Sequence, residues 1–232
     1  MENLVTMPRD GGMPYAETNL QHLFPEPLNM LTSILFLLLA IWWSFRIRKE
    51  FREHGFLVYA LFLLYIGGIG GTIYHGLRQW RFFIMMDWLP IMLLCLSAGI
   101  WFIAKLTRWY YAALLVCLYV GFQFFARQKL LQSGEIQLFI NINYAVLASF
   151  VLFPVLGFLI RTRFANGKFV GFALLAFSAA LFFRVADRWE ILSFGTHFLW
   201  HIFGAVAAFC MLQFVYITAG KKPNPSDEIP EY

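Results

Sequence analysis

Thr196-His197-Phe198-Leu199-Trp200-His201 opens the last long apolar segment of the chain, residues 196–218. A bilayer-spanning helix needs about 20 predominantly apolar residues, and this segment has that length. On such a helix two histidines four residues apart share one face, about one turn from each other, so a single metal ion reaches both rings. Ionisable groups are costly inside a membrane helix, and finding two at one level marks a functional site.

Six more segments of spanning length precede this one, at roughly 28–45, 56–75, 84–104, 109–126, 138–160 and 169–186. The sequence therefore predicts an all-α polytopic membrane protein with seven transmembrane helices. Residues 1–27 form an N-terminal segment, 28–218 the membrane domain and 219–232 a tail. Pro223, Pro225 and Pro230 among charged residues mark that tail as disordered. Residues 1–27 lack the apolar run of a cleavable signal peptide, so the first span is expected to act as the insertion signal.

Composition agrees with a membrane domain. Of 232 residues 60% are hydrophobic and 13% charged, whereas soluble domains average about 25% charged residues. The net charge of +5 resides in short loops and follows from membrane topology rather than from nucleic-acid binding. Cys95, Cys117 and Cys210 all lie inside apolar segments and read as small apolar side chains.

Lys and Arg divide unequally between the two ends of the spans. Arg46, Arg48, Lys49, Arg52, Lys105, Arg108, Arg161, Arg163, Lys168, Lys221 and Lys222 fall on one side. Arg9, Arg78, Arg81, Arg127, Lys129, Arg184 and Arg188 fall on the other. The positive-inside rule then puts the C-terminus in the cytoplasm and the N-terminus on the non-cytoplasmic side.

Alternating span direction gathers polar residues that are distant in sequence. Glu26, Asn29, Thr32 and Ser33 open span one, Thr72 and His75 close span two, and Asp87 opens span three. All stand at the same membrane depth as His197 and His201. Three imidazoles with a fourth position open are the ligand set of a catalytic zinc (Zn2+) site. Asp87 is the candidate general base, or the group that holds water or a ligating imidazole. Thr72, one turn before His75, is the candidate to polarise a carbonyl oxygen, and Asn29 and Ser33 are candidates to support the ligands from behind. This chemistry predicts hydrolysis of an amide or ester in a membrane lipid that enters between helices. Elsewhere, Gly67, Gly68, Gly70 and Gly71 read as close-packing residues, Asn141 and Asn143 as interhelical hydrogen-bond partners, and Asp187 as the ion-pair partner of Arg184 or Arg188.

Together, Glu26-x-x-Asn29, the Thr72/His75 pair, Asp87 and His197-x3-His201 resemble the alkaline ceramidases. More broadly they resemble the seven-span hydrolase superfamily that includes progestin/adipoQ receptors and lipases that remodel GPI anchors. The resemblance implies zinc held by His75, His197 and His201, with Asp87 assisting water in cleavage of ceramide to a sphingoid base and a fatty acid. It also implies a calcium site near the N-terminus, with Glu17, Asn19 and Glu26 as side-chain ligands and a carbonyl from Tyr15. Calcium prefers such oxygen donors. The chain departs from the family where its span-two hydroxyl is expected, four residues before the histidine: that position is Gly71, and Thr72 lies about 100° further round the helix. Pro14 stands where the calcium segment would begin with an acid. Alternatives are a lipid esterase of GPI-remodelling type, a progestin/adipoQ-like receptor, whose N-terminus would face the cytoplasm, and a haem protein. An i, i+4 histidine pair converges on one ion and does not suit two haems stacked along a bundle.

Overall fold

The computed structural model describes residues 7–132, 134–189 and 191–219. The expected spans are seven α-helices: α1 Pro27–Ile47, α2 Gly55–Leu77, α3 Arg81–Leu106, α4 Trp109–Gln132, α5 Ile136–Arg161, α6 Gly167–Ala186 and α7 His197–Ala219. All seven are long and apolar enough to cross a membrane, and the described residues contain no strand. The expectation of a disordered tail falls on residues 220–232, outside the described residues.

Helix α1 packs on α2 and α7, α2 on α3, α3 on α5, and α6 on α7, while α4 lies against α3 and α5. The helices α1, α2, α3, α5, α6 and α7 thus surround the interior, with α4 outside. Helices α5 and α6 scarcely touch. Phe153, Phe124 and Leu175 are 70, 67 and 69% exposed on the outer surface, an apolar exterior suited to lipid and not to water.

Apolar packing concentrates at the end of the bundle away from the histidines. There Trp43 and Ile47 of α1, Leu57 of α2, Phe102 of α3, Leu159 of α5 and Phe214 of α7 form one buried cluster. The histidine end has a smaller core around Tyr144, Ala180 and Trp200. Glycines set the approach of α2 to its neighbours. A Cβ on Gly68 would lie 2.7 Å from the Leu37 backbone nitrogen, and one on Gly70 would lie 2.7 Å from the Met86 carbonyl carbon. Backbone atoms cannot swing aside as a flexible side chain can.

Gly68→Ala and Gly70→Ala should each lower stability by about 1–3 kcal/mol by prising α2 from α1 or α3. Gly171→Ala, where an added Cβ meets open space, should leave the thermal midpoint in detergent unchanged.

Candidate functional site

His75 comes from the last turn of α2, and His197 and His201 from the first turns of α7. They are 0, 2 and 3% exposed. One nitrogen from each can lie within 4.8 Å of the other two, and ring centroids are 4.8–5.5 Å apart. The start of α7 is set by Asp187, just past the end of α6. Its Oδ1 accepts the N–H groups of Thr196 (2.7 Å) and His197 (2.9 Å), and a carboxylate there also complements the helix dipole. Gly195 permits this approach: its φ is +71°, and a Cβ would strike the Asp187 carboxylate. Asp187 forms no ion pair with Arg184 or Arg188 among the described residues. Its other oxygen accepts the Ala16 N–H (3.1 Å), so the pairing expected from sequence is replaced by three backbone donors.

Hydrogen bonds orient two of the rings. His75 Nδ1 lies 2.5 Å from Glu26 Oε2, which assigns the proton to Nδ1 and leaves the buried, unpartnered Nε2 as a lone pair. His201 Nδ1 sits 3.1 Å from the Asn29 carbonyl and 3.0 Å from Thr32 Oγ1. Because Thr32 already donates to the Leu28 carbonyl, His201 Nδ1 donates to Asn29, and Nε2 is its free nitrogen. His197 stacks on Tyr15, centroids 3.8 Å apart, and its Nδ1 is buried without a partner. Orphaned imidazole nitrogens converging on one point fit a metal of zinc's ligand preference.

Behind His75 stands a buried chain of charges. Arg78 donates through Nη1 to Glu26 and through Nε to Asp10 (2.8 Å), and its Nη2 reaches the Met13 carbonyl (3.0 Å). Burial would push the Glu26 carboxyl up, but the His75 ring and the Arg78 guanidinium outweigh it and hold Glu26 below the ordinary carboxylate value. Arg78 ends α2 in the left-handed conformation, φ +50°, which costs a non-glycine residue about 1–2 kcal/mol. Its polar contacts to three residues, Glu26, Asp10 and Met13, offset that strain.

The groups expected to hold calcium are engaged elsewhere. Glu17 accepts the N–H groups of Leu28 (2.5 Å) and Asn29 (2.9 Å), capping α1. Glu26 is taken by His75, Arg78, Thr18 and the Asn29 side chain. The Tyr15 carbonyl accepts from Thr18, and Asn19 is exposed beside Gln21 and His22. Neither acid is free, and the positive charge beside Glu26 is Arg78.

Asp87 makes no hydrogen bond to a described residue and borders, with His201, an apolar cavity of about 250 Å³. Thr72 is not free to polarise a carbonyl, because its hydroxyl donates to the Gly68 carbonyl (2.7 Å). Gly71 instead faces the site: a Cβ there would be 2.5 Å from Asp87 Oδ1 and 3.2 Å from Ser33 Oγ. The hydroxyl nearest that point therefore comes from α1, not α2. Ser33 Oγ donates to the Asn29 carbonyl and approaches His201 Nδ1 at 3.3 Å, so Asn29 and Ser33 both support His201.

Sequence reading missed Arg78, Asp10 and Tyr15 as neighbours of the site, and Arg184, whose buried guanidinium lies over the Tyr144 and Trp200 rings at 5.1 and 5.3 Å. A signal for Arg78 was present: an arginine between His75 and Asp87 at the level of the proposed ligands, where a buried cation requires an acid. Compared with known families, curated proteins and solved structures, the chain gives no match.

Glu26→Gln and Arg78→Met should each weaken metal binding by roughly 10–100-fold, since both disturb the group that orients His75. Competition with a chelator of known affinity measures this, and wild-type affinity in both variants would contradict the assignment.

Proposed function

We propose that the protein is a zinc-dependent intramembrane hydrolase of lipid amides, ceramidase-like, converting ceramide to a sphingoid base and a fatty acid. The observation carrying this reading is a cluster of three buried histidines, one of which, His201, borders with Asp87 an apolar cavity inside a membrane bundle. The cavity continues past Tyr144 and Trp200 to Phe56 and Val215 near the other end. An acyl chain there would leave its carbonyl among the histidines.

A bound zinc ion would be held by His75, His197 and His201 and would supply Lewis acidity that makes water nucleophilic near neutral pH. Asp87 is the base: its carboxylate has no other partner among the described residues and borders the cavity where the amide carbonyl would lie. It takes the water proton and returns it to the leaving nitrogen. Glu26 and the Asn29 carbonyl keep His75 and His201 in one tautomer through this transfer. The apolar walls exclude bulk water, and the slight contact between α5 and α6 is the seam by which a lipid enters from the bilayer. An ester lipid presents the same carbonyl, so the substrate panel should include both linkages. The charge bias supports a non-cytoplasmic N-terminus.

Purified protein should release fatty acid from ceramides, faster than from matched esters. His197→Ala and His201→Ala should abolish release, and Asp87→Asn should lower kcat by roughly 10²–10⁴-fold with metal content retained. Unchanged turnover in the histidine variants would overturn the mechanism. An N-terminal tag should be reached from the non-cytoplasmic side of intact cells; labelling only after permeabilisation would reverse the orientation.

A further inference from the structure

At the end of the bundle away from the histidines lies a second cavity, about 180 Å³, whose polar groups serve neither the packing nor the proposed hydrolysis. Helix α2 begins there. The N–H groups of Gly55, Phe56 and Leu57 have no acceptor among the described residues, and no side chain caps the helix. Such a terminus presents about half a positive charge together with free donors.

Two side chains line the cavity beside it. His54, 3% exposed, lines the cavity; its Nε2 faces Glu50 at 3.3 Å, and its Nδ1 is buried without a partner. Lys105, from the last turn of α3, also lines it. Its ammonium rests 4.5 Å from the Trp101 ring centroid and has no carboxylate partner among the described residues. The one acid in the lining, Glu53, is exposed.

Three backbone donors and an ammonium together present more N–H groups than one carboxylate can accept, and they suit a group with more acceptor oxygens. We propose that this cavity binds a phosphate group, carried by an anionic phospholipid or free in solution. The cavity lies at the helix ends, the depth of lipid headgroups, and basic pockets between spans hold such headgroups elsewhere. It shares Phe56 and Val215 with the apolar cavity, so a bound lipid phosphate stands where that cavity ends.

The test uses the full chain in detergent with phosphatidic acid, phosphatidylcholine or inorganic phosphate added, reading lipid retention by native mass spectrometry and the thermal midpoint. Phosphatidic acid should be retained over phosphatidylcholine, and Lys105→Met should reduce that preference about fivefold, the effect of one lysine near a lipid phosphate. Lys168→Met, at the same end but outside the cavity, should keep it. Stabilisation by inorganic phosphate equal to that by phosphatidic acid assigns the site to free phosphate; an effect of phosphatidic acid alone assigns it to the headgroup. Equal retention of both lipids with no effect of phosphate overturns the proposal, as does an unaltered preference in Lys105→Met. Lys105 is exposed, so its variant is expected to fold even if a His54→Phe variant does not.

Discussion

Glu26 is the point on which the site depends. Its buried carboxylate receives His75 on one side and Arg78 on the other, with Thr18 and Asn29 filling what remains. Breaking a buried ion pair by removing one partner typically costs about 3–5 kcal/mol, because the other charge is left uncompensated. Here the penalty would fall on the residue that decides which nitrogen of His75 is free. Asp10 completes the chain by holding Arg78, so the N-terminal segment, α1 and the end of α2 are tied through one carboxylate. Tyr15 and Ala16 then carry the same segment to His197 and Asp187.

The bundle divides its work by depth. One end packs large apolar side chains from α1, α2, α3, α5 and α7, which fixes the helices relative to each other. The other end trades apolar packing for buried polar groups, each of which needs a partner in a membrane interior. Most find one, in carboxylates, carbonyls and backbone donors. Those without one among the described residues include the imidazole nitrogens of the histidine cluster, the Asp87 carboxylate on the cavity wall, Gln137 Oε1 and Arg184 Nε. Unsatisfied groups gathered at the end of an apolar cavity are what lipid hydrolysis would require.

Much of this was legible in the sequence, for a definite reason. Seven apolar runs forced seven antiparallel spans, and alternation alone brought His75, His197, His201 and Asp87 to one level. What sequence did not reveal depends on side-chain direction and chain reversals. Asp10 meets Arg78 across 68 positions, and no helical or strand period connects them. Arg78 adopts a left-handed conformation that its residue type does not announce. Thr72 stands at the right depth, but its hydroxyl turns back on its own helix, a local choice invisible to spacing. Asp187 sits beside two arginines in sequence and yet binds backbone N–H groups, because the free N–H groups at the start of α7 need an acceptor, while the Arg184 guanidinium lies over aromatic rings. The acids that the resemblance offers as calcium ligands, Glu17 and Glu26, have a helix terminus, a histidine and an arginine as partners, which spacing alone does not reveal.

The central claim is that three histidines hold one zinc ion. Elemental analysis of protein purified without added metal tests it most directly, on the wild type and on the His75→Ala, His197→Ala and His201→Ala variants. One zinc per chain in the wild type, lost from each variant, is the predicted result. A wild-type protein without zinc, or one carrying iron with a haem spectrum, would contradict it.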